Sequence, residues 1–153
     1  MNALNTKIPP PIVALLLALL MGWLAGWATG FFVLPHWTAW LAVPVLCVGL
    51  VFDVFGIIQF IRNKTTINPL SPQKSSVLVT HGIYRITRNP MYVGMALTLT
   101  AWALYLQSIP ALIGPVIFAS YITRFQIKPE EDHLLQIFGE PYRNYLQEVR
   151  RWL

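Results

Sequence analysis

Cationic side chains and a predicted helix start fall together in residues 75–92. Three cationic or titratable side chains lie close to one another here: His81, Arg85 and Arg88. Asn89 and Pro90 follow directly. Because Asn is favoured as an N-cap and Pro at the first helical position, they predict a helix that begins at Pro90. The amides at a helix N-terminus attract carboxylates and phosphates. The segment therefore predicts an anion site, although a basic flank with an ordinary cap would give the same pattern.

Acidic residues form a second cluster, within residues 124–133. Pro129 precedes three acids, Glu130, Glu131 and Asp132, and acids in the first turn of a helix are favoured by its dipole. A helix start explains these acids on its own. Next to the basic segment, however, they could hold an ammonium group while the arginines hold a carboxylate. Together the two segments predict a site for a zwitterion.

The chain after these acids is predicted to form an amphipathic helix with a turn in it. Gly139 predicts a helix end, and Pro141 predicts a restart of the helix. Pro129 disfavours helical geometry at the residue before it, which predicts a break at Lys128. The C-terminal residues 150–152, two arginines and a tryptophan, predict an anchor at a membrane interface.

Long apolar runs flank these segments and predict an integral membrane protein. Of the 153 residues, 56% are hydrophobic and 11% are charged, whereas a soluble domain carries about 25% charged residues. A helix needs about 20 apolar residues to cross the bilayer core. Four runs approach this requirement: 12–33, 40–61, 91–107 and 111–123. The predicted fold is all-α, a helical bundle of about four transmembrane helices with a cytoplasmic C-terminal amphipathic helix, and residues 1–153 form one membrane domain.

The placement of basic residues predicts the orientation of this bundle. With four spans, Lys7, the 62–90 loop and the 124–153 tail lie on one side, and they contain all eleven lysines and arginines. Because basic residues are retained on the cytoplasmic side, both termini and both charged segments are predicted to be cytoplasmic. The net charge of +5 then faces anionic lipid headgroups, and no nucleic-acid partner is predicted. The first apolar run is too long for the core of a signal peptide.

Small residues predict close helix packing inside the membrane. Two sets share a helix face: Gly22, Gly26 and Gly30 in the first span, and Ala42, Gly49 and Gly56 in the second. Asp53 stands beside the second set and is predicted to face protein rather than lipid. An intramembrane carboxylate is a candidate for function, but a hydrogen bond to a neighbouring helix would also account for it.

Two motifs in residues 62–153 carry a resemblance to a known family. The first is His81-Gly82-Ile83-Tyr84-Arg85 with Arg88-Asn89-Pro90-Met91-Tyr92-Val93-Gly94, which resembles the G-x-Y-x-x-x-R-H-P-x-Y-x-G pattern of the isoprenylcysteine carboxyl methyltransferase family. The second is Glu130-Glu131 with Phe138-Gly139, Tyr142, Tyr145 and Val149-Arg150-Arg151-Trp152, which is similar to that family's C-terminal pattern. Related phospholipid methyltransferases share parts of the architecture.

This resemblance implies a membrane methyltransferase whose cofactor is S-adenosylmethionine, held in a cytoplasmic pocket formed by residues 62–153. The methionyl end of that cofactor is a zwitterion, which agrees with the two charged segments. The residues implied in cofactor binding are Ser76, Val77, Leu78, Val79, His81, Gly82, Tyr84, Arg88, Asn89, Pro90, Tyr92, Glu130 and Glu131. No metal site is predicted.

The resemblance also implies the catalytic residues and the acceptor. Asn89 stands at the family's histidine position, and Gln126 stands where eukaryotic members have an arginine. We therefore predict that Arg124, rather than Lys128, faces the acceptor, and that Glu130 takes part in catalysis. The predicted acceptor is a prenylated or other amphiphilic carboxylate that enters from the bilayer.

Three alternatives stay open. A phospholipid amine is a second possible acceptor, and it would need a base such as a glutamate or Asp53. A membrane reductase that uses a nicotinamide cofactor, and a non-catalytic protein that binds lipid, are the others. The sequence does not indicate an oligomeric state.

Overall fold

The computed structural model describes residues 8–27, 32–62 and 78–153. Their regular structure is helical, apart from one isolated antiparallel bridge between Val33 and Ser108. The α-helices follow in this order: α1 (Pro10–Trp27), α2 (Thr38–Arg62), α3 (Pro90–Tyr105), α4 (Ile113–Ile122), α5 (Lys128–Phe138) and α6 (Glu140–Glu148). Short 3-10 helices cover Gly82–Arg85 and Pro110–Leu112, and a π-helical turn, Thr123–Ile127, joins α4 to α5.

The first two helices have the length and composition of membrane spans. Helix α1 has 18 residues with a mean hydropathy of 1.8, and 22 residues of α2 reach 2.5. The all-α class and these two spans agree with the sequence. Helices α3 and α4 have 16 and 10 residues, which is short for a bilayer crossing. The count of four spans therefore stays a prediction.

Helices α2 and α3 pack closely because glycines line their contact. A Cβ added to Gly49 would lie 3.0 Å from the Gly94 carbonyl oxygen, and one added to Gly56 would lie 2.9 Å from Met91 Cγ. A Cβ on Gly94 would collide with the Asp53 carboxyl group and lie 2.7 Å from the Gly49 carbonyl oxygen. Asp53 thus faces α3, as predicted.

Helix α1 packs on α3 and α4 through one buried cluster. Met21 and Phe118 are almost completely buried in it, and the Trp102 indole N–H donates to the Ala18 carbonyl at 3.0 Å. The predicted glycine face of α1 is only partly used. Gly22 lies near Trp102, nothing lies within 4 Å of a Cβ on Gly26, and Gly30 is outside the described residues.

The turns before α2 and after α3 are joined to each other. The Leu34 amide donates to the Gln107 carbonyl at 2.7 Å, and the Ile109 amide donates to the Phe32 carbonyl at 3.0 Å. The His36 ring also contacts the Gln107 side chain at 3.0 Å. This pairing places both turns at one end of the bundle, opposite the start of α3.

The junction between α4 and α5 corrects one prediction. Lys128 has helical dihedral angles (φ −58°, ψ −48°), so the predicted break before Pro129 is wrong. Proline lacks an N–H and crowds the carbonyl one turn earlier, and the wider π-helical turn accommodates both effects without leaving the helix. Gly139 ends α5 at φ +59°, ψ −129°, and Pro141 lies in the first turn of α6, as predicted.

Candidate active site

The N-terminus of α3 begins at Pro90, as Asn89-Pro90 predicts. Asn89 occupies the N-cap position, but its side chain makes no capping hydrogen bond. Instead, Asn89 Nδ2 donates to the Arg151 carbonyl at 2.9 Å. Asn89 thus holds the predicted N-cap position through its backbone, while its side-chain amide binds a backbone carbonyl of the C-terminal segment.

Glu131 forms an ion-pair cluster with two arginines. Arg88 Nη2 lies 3.1 Å from Glu131 Oε1. Arg151 binds the same carboxylate in a bidentate manner, with Nε at 3.0 Å and Nη2 at 2.6 Å. A carboxylate with two guanidinium partners is well compensated for its burial. Glu131 is therefore committed within the protein, and the cluster has one positive charge in excess.

Glu130 has a different environment, with hydrogen bonds from neutral donors. The Tyr92 hydroxyl donates to both carboxylate oxygens at 3.2 Å, and Gln126 Nε2 donates to Oε1 at 3.1 Å. Burial raises the pKa of Glu130 to about 7, although these two hydrogen bonds act in the opposite direction. Near neutral pH, Glu130 is poised between its protonated and ionised forms.

Buried tyrosines form the wall beside these charges. Tyr84, Tyr142 and Tyr145 are each more than nine-tenths buried and pack with Val79. The Tyr145 hydroxyl donates to the Tyr84 carbonyl at 2.7 Å. Burial raises the pKa of all three phenols well above its ordinary value, so they act as neutral groups. They form a desolvated surface close to Arg88 and the two glutamates.

The structure brings together most of the predicted residues that it describes. Leu78 and Val79 pack against the tyrosine wall, and Gly82 adopts φ +65° beside the Gln59 side chain. His81 is exposed and lines, with Arg85, an open groove of about 680 Å³ next to α6. Ser76 and Val77 lie outside the described residues.

The two candidates for contact with the acceptor are on a different face. Arg124 is exposed, with its guanidinium carbon 5.7 Å from the centre of the Phe125 ring. Lys128 is also exposed, whereas Gln126, between them, is 2% exposed and faces Glu130. Of these three side chains, Gln126 is the one that the helix directs into the Glu130 site.

The roles of some residues in this site were not predicted from the sequence. Tyr142 and Tyr145 recur three residues apart just after Pro141, a spacing that places them on one helix face and could have marked them as buried. Arg151 was predicted to anchor the chain at the membrane, but its guanidinium is turned toward Glu131. Its role depends on a partner 20 residues away, which local sequence does not reveal.

The chain is similar in sequence to known methyltransferases. A family model described as phospholipid methyltransferase matches residues 37–141. The chain is 30% identical over 112 residues to protein-S-isoprenylcysteine O-methyltransferase from Schizosaccharomyces pombe, covering 71% of this chain and 46% of the relative. It is 34% identical over 119 residues to the protein of the same name from Tribolium castaneum, covering 72% and 40%.

A shorter relative is an uncharacterized protein from Haemophilus influenzae. It is 48% identical over 63 residues, which cover 41% of this chain and all of that protein. The chain spans less than half the length of the two named methyltransferases.

Proposed function

The chain belongs to the phospholipid methyltransferase family, and on that premise we propose that it is a membrane-embedded methyltransferase that uses S-adenosylmethionine. The proposed acceptor is the carboxylate of a prenylcysteine-like or other amphiphilic acid. Two relatives bear the name protein-S-isoprenylcysteine O-methyltransferase, which supports a carboxylate over an amine.

The described residues suit the zwitterionic end of the cofactor. Arg88 Nε is buried and has no hydrogen-bond partner among the described residues, so it is a donor available to a carboxylate. Glu130, the residue before Glu131 on α5, has neutral hydrogen-bond donors and no ion pair among the described residues, so it is available to an ammonium group. Buried donors are rarely left unpaired in native proteins. The buried Arg88 Nε, which has no partner among the described residues, is the observation that carries the proposal.

Each side chain has a physical task in this account. S-adenosylmethionine, when bound, supplies a methyl group on a sulfonium, which is electrophilic without further activation. A carboxylate acceptor is already nucleophilic, so the protein needs only to orient it and exclude water. Arg124 is proposed to hold the acceptor carboxylate, since its exposed guanidinium is accessible to an amphiphile that approaches from the bilayer. The tyrosine wall excludes water from the other side.

One observation favours an amine as the second candidate acceptor. Gln126 is neutral, and it donates to Glu130. The pKa of Glu130, about 7, suits a general base that takes a proton from an ammonium group near neutral pH. A phospholipid amine N-methyltransferase would use Glu130 in this way.

Asp53 does not serve as that base. It contacts α3 at Gly94, whereas the Tyr92 hydroxyl on α3 contacts Glu130. Two residues along a helix turn by about 200°, so Asp53 and Glu130 lie on opposite sides of α3. We assign Asp53 to the packing of α2 on α3.

The membrane placement is part of the proposal. Helices α1 and α2 are proposed to cross the bilayer, with α3 and α4 as a shorter hairpin beside them. The charged cluster at the start of α3 would then face the cytoplasm, together with α5 and α6. The two joined turns that contain His36 and Gln107 would face the opposite side.

Calorimetry with S-adenosylhomocysteine tests the proposal. The wild-type protein in detergent should bind this product analogue with a stoichiometry near one, and Glu130→Ala should weaken the binding. NADPH, tested in parallel, should give no heat of binding. Binding of NADPH would favour the reductase alternative. A folded protein that binds neither compound would instead favour the non-catalytic lipid-binding alternative.

A further inference from the structure

The C-terminal residues Arg150–Trp152, which we name the strap, lie across the start of α3. The Arg88 amide donates to the Arg150 carbonyl at 3.0 Å. Thr87 Oγ1 and Asn89 Nδ2 both donate to the Arg151 carbonyl, at 3.1 and 2.9 Å. Three consecutive residues before α3 thus bind the backbone of the strap, and Thr87 is completely buried beneath it.

The side chains of the strap contact two further elements. The Arg151 guanidinium binds Glu131 of α5, and the Trp152 indole N–H donates to Thr123 Oγ1 in the π-helical turn at 3.0 Å. An anchor at the membrane interface would need these side chains to point outward, but both turn back onto the protein. The strap therefore joins the segment just before α3, α5 and the junction after α4, which carry Arg88, Glu131 and Gln126, respectively.

We propose that Asn89 is a positioning residue that acts through the strap rather than a ligand of the cofactor. By holding the Arg151 carbonyl, Asn89 keeps the Arg151 guanidinium on Glu131. With Glu131 paired to Arg151, Arg88 keeps Nε free for a carboxylate. The inference rests on the proposed function where it is tested by the affinity for S-adenosylhomocysteine. Where it is tested by protection of the strap from digestion, it rests on the contacts of the strap alone.

The geometry of Asn89 supports this role. Its side-chain amide is the group that reaches the carbonyl of Arg151, 62 residues further along the chain, and it makes no capping bond to α3. A histidine can make the same contact, because ring Nδ1 stands at the same bond position as the amide nitrogen of asparagine. An aspartate would place an oxygen against the carbonyl oxygen and repel it.

Digestion with a carboxypeptidase tests the strap directly. Intact-mass spectrometry of the full-length protein should show slow release of Trp152 and Arg151 in the wild type and at least threefold faster release in Asn89→Ala and Asn89→Asp. Asn89→His should restore the slow release. Gln147→Ala, an exposed substitution on α6, is the matched control and should digest like wild type. Equal rates for all variants would overturn the strap.

A thermodynamic cycle then separates the two roles of Asn89. In the full-length chain, Asn89→Ala should weaken binding of S-adenosylhomocysteine about three- to tenfold, the range of one hydrogen bond. In a chain that ends at Val149, the same substitution should have no effect, because the strap is already absent. Equal losses in both backgrounds would make Asn89 a direct ligand and overturn the proposal.

Failure of the proposed function would look different. If the wild type does not bind S-adenosylhomocysteine, the methyltransferase account fails, while the digestion rates still report on the strap. If the chain that ends at Val149 does not fold, Arg151→Gln in the full-length protein replaces it. That variant removes the contact through which Asn89 acts, so Asn89→Ala should then add less than twofold, and a full additional loss would contradict the proposal.

Discussion

Arg88 Nη2 lies 3.1 Å from Glu131 Oε1, and the two side chains are 10% and 13% exposed. Arg151 binds both oxygens of the same carboxylate, and Arg88 Nε has no hydrogen-bond partner among the described residues. This arrangement leaves Arg88 Nε available to the carboxylate of a bound cofactor.

Arg88→Ala should therefore weaken S-adenosylhomocysteine binding strongly. Loss of one partner from a desolvated charge contact costs about 2–5 kcal/mol, or roughly 30- to 1000-fold in affinity. Arg151 still neutralises Glu131 in this variant, so the protein should remain folded. Arg143→Ala is the control, because Arg143 is exposed and pairs with Glu140 on the surface. Calorimetry that finds equal affinities for both variants would remove Arg88 from the site.

Binding should also depend on pH through Glu130. The pKa of Glu130 in the free protein is about 7, and an ammonium group binds only its ionised form. Raising the pH from 6 to 8 increases the ionised fraction, so the affinity for S-adenosylhomocysteine should rise about tenfold. Glu130→Gln should abolish this dependence. Affinity that falls with rising pH would contradict the assignment of Glu130 to the ammonium group.

Arg124 and Lys128 offer a comparison of two exposed cations on one helical segment. Arg124→Lys should reduce turnover of a carboxylate acceptor strongly while S-adenosylhomocysteine affinity stays unchanged, because lysine cannot grip a carboxylate with two parallel hydrogen bonds. Lys128→Ala should have a much smaller effect. The opposite order in steady-state kinetics would assign the role to Lys128, and no effect from either would favour an amine acceptor.

The close contact of α2 and α3 can be tested by two glycine substitutions. Gly94→Ala forces a methyl group against the Asp53 carboxyl and the Gly49 carbonyl, so it should lower the free energy of unfolding by about 1–3 kcal/mol. Gly26→Ala places its methyl group in open space and should be nearly neutral. Thermal unfolding in detergent measures both. Equal stability of the two variants would mean that the helices do not approach at Gly94.

Cysteine labelling tests the proposed orientation. The native Cys47 is exposed, so the background is Cys47→Ala. A cysteine at Trp37 should react with an impermeant reagent in intact cells, and one at Arg143 should react only after permeabilisation. Both native side chains are exposed, so access in the folded protein is not limiting. Labelling of Arg143→Cys from outside would reverse the topology.

The elements of this site could be predicted where the signal is local. Asn89-Pro90 and Gly139 marked the start of α3 and the end of α5, because proline fixes its own φ at a helical value and glycine tolerates the positive φ found at Gly139. The two short charged segments were also predicted to share one site, and Arg88 of the first contacts Glu131 of the second. Local chemistry was sufficient in each case.

The partners of these residues could not be predicted in the same way. The bond from Asn89 to the Arg151 carbonyl spans 62 residues, and the contact of Arg151 with Glu131 depends on how the chain turns after α6. The break expected at Lys128 did not occur because a π-helical turn accommodates Pro129, an adjustment that simple helix rules do not anticipate. Tertiary packing decided each of these features.

Transfer of a labelled methyl group tests the central claim most directly. The purified protein in detergent or lipid vesicles receives S-adenosylmethionine with a labelled methyl group and an N-acetylated S-prenylcysteine. A methyl ester releases volatile methanol in alkali, whereas an N-methyl amine does not. We expect label in the prenylcysteine that alkali releases as methanol, and none formed by Arg88→Ala at the same cofactor concentration. A folded protein that binds S-adenosylhomocysteine but transfers label only to phosphatidylethanolamine, in an alkali-stable form, would contradict the carboxylate acceptor. Transfer to neither acceptor would contradict the proposed substrate class.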